Sequence, residues 1–326
     1  MLKYFQHIRP SAVIALLVGT VVLRLPAIWL IENAGLQVSG AMSSFFNSFN
    51  AQPIASILVS AAIVFIQALL FNRLCIEHDV LYAHSFMPAW MFLLCNSLFP
   101  EMLFITPALI GNFLVLWALS FVLGFYRAAD GSLVLFYTAA LFSLSSFFIV
   151  EYITTPLLLV VFTIIFKNVK VRDLLAIVSG SIVPFIFVWA AGQIFDLQFQ
   201  FPTQGYNLSL TQFKFDIIHL AALLPLFFLV LPGLAKTSLN YFKNNIQTRR
   251  VSLLFISFLV FTTLILVIRL NQIKYSLHIA APALSLFAGY FLLGNKGKNS
   301  KEFLHFILLA TIVISLYHPF LIRLFR

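Results

Sequence analysis

Six side chains in this sequence have the right types to work on a phosphorylated substrate. Arg24, Arg269, Lys274 and His278 can hold an anion, and Glu32 and Glu101 can move a proton or orient a hydroxyl. Lys274 and His278 stand four apart, so a helix places them on one face, and Arg269 precedes them in "IRLNQIKYSLHIAAPALSLFAGYFLLG". Pro282 lies four residues beyond His278 and removes the N–H that would close onto its carbonyl. Two cations, an imidazole and an open carbonyl suit a phosphate or pyrophosphate seat; interfacial anchoring by long basic side chains is the alternative reading. Arg24 lies in "VVLRLPAIWLIEN", eight residues before Glu32. Its guanidinium either meets a substrate anion, pairs with Glu32, or snorkels to the interface.

Other motifs narrow the chemistry by their absence. The sequence has no P-loop, GxGxxG, GxSxG or HExxH motif and no DxD pair, so nucleotide, dinucleotide, serine-hydrolase and zinc-protease templates lose support and no cofactor is expected. Glu151, Asp196 and Asp216 join Glu32 and Glu101 at segment ends, where polar caps are ordinary. His78 and His84 share "NRLCIEHDVLYAHS" with Glu77 and Asp79, a cluster that reads as a solvated loop or as a metal or partner site. Cys75 and Cys95 are the only cysteines and are not expected to pair.

The elements that carry these residues are apolar helices. Of the 326 residues 62% are hydrophobic and 9% charged, far below the quarter typical of soluble domains. Mean hydropathy is +1.02. Uncharged runs long enough to cross a bilayer recur throughout. They predict an all-α transmembrane bundle of ten or eleven spans, roughly 11–31, 53–71, 86–99, 107–126, 133–150, 152–166, 174–195, 216–235, 251–268, 275–294 and 303–322. The 133–166 pair reads alternatively as a re-entrant hairpin turning at "VEYITTP". The first run is too long for a signal-peptide core and reads as a retained anchor. No loop is long enough for a soluble domain, so residues 1–326 form a single integral membrane domain.

Charge sets the expected orientation. With the N-terminus cytoplasmic, fourteen of the twenty Lys and Arg fall on inner loops and five on the outer side (Lys214, Arg269, Lys274, Arg323, Arg326), with Arg24 inside the first span. The net charge of +10 thus reflects topology rather than nucleic-acid binding. Membrane lipids are the expected partners.

The stretch "LCIEHDVLYAHSFMPAWMFLLCNSLFPEMLFITPALIGNFLVLWAL" followed by "LLAIVSGSIVPFIF" resembles a family of polytopic membrane proteins from Bacteroidota that carries no assigned activity. The arginine-bearing first span, the proline that opens the second ("FNSFNAQP") and "IKYSLHIAAPALSLFAGY" are similar to features of the GT-C superfamily of membrane glycosyltransferases. That resemblance implies a polyprenyl-phosphate-linked sugar handled on the outer face, with Glu32 or Glu101 activating the acceptor and Arg24, Arg269, Lys274 and His278 holding the lipid phosphate. The first outer loop departs from the pattern, offering Glu32 where the superfamily has Asp or Asp-Glu. A lipid flippase or transporter, and a non-catalytic subunit with membrane-protein partners, are the alternatives.

Overall fold

The computed structural model describes residues 4–7, 9–30, 52–81, 83–125, 131–166, 170–195, 217–268, 273–293 and 298–324. Among them are eleven α-helices and no strand. In chain order these are α1 (Pro10–Leu30), α2 (Pro53–Glu77), α3 (Met87–Cys95), α4 (Pro107–Gly124), α5 (Gly131–Ser145), α6 (Thr155–Phe166), α7 (Val171–Phe195), α8 (Ile217–Leu239), α9 (Ile246–Ile268), α10 (Ile273–Leu292) and α11 (Lys298–Leu324). Seven of them contain stretches long and apolar enough to cross a membrane, and Gly131–Ser145, Tyr152–Phe166 and Leu277–Leu292 are shorter apolar helices. The protein is therefore a multi-pass, all-α membrane protein. Helices are the natural outcome, because they satisfy the backbone internally where no water is present.

Each expected apolar run corresponds to one helix, and the deviations fall at two places. The run 86–99 is helical only over the nine residues Met87–Cys95. Non-helical chain follows, interrupted by a 3₁₀ turn at Pro100–Leu103, until Thr106 caps α4 by accepting from the Leu109 N–H at 3.2 Å. The 133–166 pair appears as α5 and α6, joined through a 3₁₀ segment at Val150–Thr154.

The short α3 sits at the centre of the bundle. All nine of its residues are buried, and it packs against α1, α2 and α10. Its base is fixed by Trp90, whose ring stacks on Phe5 at 4.5 Å and whose Nε1 donates to His305 Nε2 of α11 at 2.7 Å. Two glycines permit the closest helix crossings. A methyl group on Gly233 of α8 would run into the Phe287 carbonyl of α10, and one on Gly180 of α7 into the Phe136 carbonyl of α5. By contrast α7 turns Ile182, Ile186, Phe187 and Trp189 outward, as a lipid-facing helix does.

Side chains of α2 reach the buried backbone between α3 and α4 and the first turn of α4. Ser56, Ser60 and Gln67 fall within about 40° of one another around that helix, at 3.6 residues per turn. Ser56 Oγ accepts from the Ile105 N–H at 3.1 Å, the Ser60 hydroxyl meets the Leu103 carbonyl, and Gln67 Nε2 donates to the Leu109 carbonyl at 2.7 Å. Without these side chains, irregular chain inside an apolar bundle would leave several peptide groups unpaired.

Candidate functional site

The site lies where α1 ends, α2 begins and α10 begins. Arg24 is six residues before Leu30, Ser60 seven after Pro53 and His278 five after Ile273. At 1.5 Å per residue each is about 8–10 Å in from its helix end, so all three share one depth. The 3₁₀ turn Pro100–Leu103 packs against α1, α2 and α10 at that level.

Arg24 is buried, 1% exposed, which excludes snorkelling. Its Nε donates to Ser60 Oγ at 3.2 Å. Ser60 can accept there because its one proton is used on a carbonyl, that of Leu103 or of Ile57. Nη1 and Nη2 are enclosed and have no hydrogen-bond partner among the described residues. This is a guanidinium aimed by its stem with its fork left open, the geometry that takes a phosphate or carboxylate in bidentate fashion.

His278 is fully buried. Its Nδ1 lies 2.5 Å from Asn96 Oδ1, and its Nε2 is enclosed with no hydrogen-bond partner among the described residues. The Arg24 charge reaches this imidazole. Asn96 ends α3, and both its backbone N–H and its Nδ2 donate to the Phe92 carbonyl, at 3.1 and 2.8 Å. Glu101 rides on the 3₁₀ turn and is half-buried, with Oε2 enclosed. The structure thus brings Arg24, His278 and the turn carrying Glu101 to one end of the bundle. Glu32 and Arg269 lie outside the described residues. Lys274 stands in the first turn of α10, one turn before His278, and its side chain lies outside the described set.

Sequence reasoning missed Asn96, Ser56, Ser60 and Gln67. The polar stripe in "SILVSAAIVFIQ", at i, i+4 and i+11, was a readable signal, since a one-faced polar row in an apolar helix needs partners. Asn96 gave none, because its role depends on where α3 stops. Further along the bundle, Gln67 Oε1, both amide atoms of Asn112 and the Tyr152 hydroxyl are also buried without hydrogen-bond partners among the described residues.

The remaining candidates lie elsewhere. Arg73 pairs with Glu77 at 2.6 Å on the far end of α2, beside a groove of about 520 Å³ that also includes Phe113 and Trp117. His84 meets Asp79 at 2.9 Å on the surface, and among the described residues no group of three His, Cys, Asp or Glu converges to hold a metal. Cys75 and Cys95 are free and buried. Comparison of the chain with protein-family models, with curated proteins and with solved structures finds no match.

Proposed function

We propose that this protein is a GT-C-like protein of a bacterial inner membrane, its N-terminus cytoplasmic, that handles a polyprenyl-phosphate-linked sugar at the outer leaflet. The observation that carries this reading is the open fork of Arg24, a buried cation beside an imidazole with both terminal nitrogens unpartnered among the described residues. A permanent charge in an apolar bundle is costly unless an anion meets it, and a lipid phosphate is the anion a membrane supplies. In this reading Arg24, with Arg269 and Lys274, grips the phosphate. His278 lines the seat, and Glu101 or Glu32 takes the proton from the acceptor hydroxyl as the sugar is transferred.

The test is binding and turnover in lipid nanodiscs with a synthetic polyprenyl-phosphate hexose. Arg24→Gln is expected to lose binding at least tenfold, and the Arg269→Ala, Lys274→Ala double variant to lose transfer while expressing normally. Glu101→Gln is expected to bind the lipid and fail to transfer. Binding unchanged in Arg24→Gln would sink the assignment. A second reading, a transporter or flippase, is favoured by α3, a helix that stops inside the bundle and continues as buried irregular chain. Translocation of the labelled lipid across liposomes, without sugar transfer, would select it.

A further inference from the structure

We infer that Asn96 fixes the imidazole of His278 as a hydrogen-bond acceptor, so that the site takes a ligand carrying a hydroxyl beside its anionic group. The inference rests on the reading of Arg24 as an anion seat and gives that seat its second half. Asn96 has one amide and two tasks. Its Nδ2 donates to the Phe92 carbonyl at 2.8 Å, which turns Oδ1 toward His278 Nδ1, 2.5 Å away. An amide oxygen carries no proton, so the hydrogen between them belongs to Nδ1. A neutral imidazole has a single N–H, which leaves a lone pair on Nε2.

That lone pair is buried and meets no donor among the described residues. The nearby guanidinium of Arg24 is also unsatisfied, and it can only donate. A bare anion would satisfy Arg24 and repel the lone pair. A ligand with an anionic oxygen and an adjacent O–H satisfies both at once, and a glycosyl phosphodiester is a membrane-borne group of that kind. The helix break makes this possible: Asn96 can reach His278 because α3 ends there, the Phe92 carbonyl taken by the Asn96 backbone and side chain and the Leu94 carbonyl by the Ser97 N–H. Asn96 is thus a positioning residue, acting on the ligand through His278.

Two measurements test this. The first is the tautomer of His278, read from the ¹⁵N spectrum of histidine-labelled protein in nanodiscs, with His278→Phe identifying the resonance. Protonated Nδ1 with bare Nε2 is expected in the wild type, and Asn96→Leu should shift the proton toward Nε2. The second compares affinity for a polyprenyl-phosphate hexose with that for the methyl phosphodiester of the same lipid, which has equal charge and no hydroxyl. The wild type should prefer the glycosylated lipid at least tenfold, and His278→Phe and Asn96→Leu should each reduce that preference to near unity. A wild-type proton on Nε2, or a preference unchanged in both variants, overturns the inference. Equal, weak binding of both lipids to the wild type also overturns it, and indicates that water meets these groups instead. Arg24→Gln binding both lipids as tightly as wild type would instead defeat the anion seat itself, whatever the tautomer.

Discussion

Replacing Arg24 with Met should stabilise the ligand-free protein and abolish its response to ligand. Among the described residues the guanidinium makes one hydrogen bond, to Ser60, worth about 1.5–3 kcal/mol for a charged donor. Against this stand two enclosed nitrogens without hydrogen-bond partners among those residues, on a group whose removal from water costs several kcal/mol after relaxation. Met keeps the unbranched stem, and Ser60 still donates to a carbonyl when Arg24 is gone. Exchange of buried charge for packed apolar volume is typically neutral or stabilising by about 1–4 kcal/mol. At roughly 2.1 cal/mol/K per residue, a chain of 326 residues has an unfolding entropy of about 0.7 kcal/mol/K. A gain of about 1–3 kcal/mol is then about 1.5–4.5 °C in Tm, and more if helices persist in the unfolded membrane state. Lipid phosphate at a hundred times its Kd should raise the wild type by about 2.7 kcal/mol, or about 4 °C, and leave Arg24→Met unmoved. Thermal unfolding in detergent, with and without polyprenyl phosphate, measures both shifts. A ligand-free Arg24→Met protein destabilised by more than about 2 kcal/mol would show a guanidinium satisfied inside the protein, and the reasoning would fail.

Ser60→Ala removes the acceptor for Arg24 and the donor to Leu103, and should cost about 1–3 kcal/mol in the same unfolding assay. Asn112→Leu should raise stability by about 1–3 kcal/mol, because both amide atoms are buried without hydrogen-bond partners among the described residues; a loss would reveal water or a ligand held there. Gly233→Val should abolish monodisperse expression, judged by size exclusion, since its side chain meets the Phe287 backbone of α10 rather than a movable side chain. Trp90→Phe keeps the stack on Phe5 and leaves His305 Nε2 without its donor, so a loss of about 1–3 kcal/mol is expected in thermal unfolding.

Helix count was legible because each apolar run ends in polar or proline punctuation, and Pro53, Pro88 and Pro107 all stand in first turns. The early stop of α3 was not legible. In "MPAWMFLLCNSLF" the only polar break is Asn96-Ser97, a pair too short to show that helix gives way there rather than running on to Phe99. Tertiary contacts decide this, since the side chains that meet the broken backbone sit on α2, 43 residues away in sequence for the Ser60–Leu103 pair and 49 for Ser56–Ile105. Arg24 stood out because an arginine in an apolar run is rare. Its partner did not, because serine is common in such helices and only the stripe with Ser56 and Gln67 distinguishes Ser60. His278 was read as a companion to Lys274 on one helical face. The structure gives its imidazole a different neighbour, Asn96, which no local spacing could supply across 182 residues.

The broken helix and the polar site are two consequences of one arrangement. A continuous helix through 96–106 would satisfy its own peptide groups and leave the Ile105 N–H and the Leu103 carbonyl no need of Ser56 and Ser60. Once the helix stops, those side chains become necessary, and Ser60, while serving Leu103, is oriented to accept from Arg24. The stop also places Asn96 against His278 and puts Glu101 on a tight turn at the same level. A mutation that mended the break, such as Pro100→Ala together with Asn96→Ala, would therefore not simply stabilise the fold. It would remove the acceptor on His278 Nδ1 and disturb the carbonyl that orients Ser60. In a membrane, backbone taken out of a helix must be met by side chains, and here those side chains extend to the two groups that remain open.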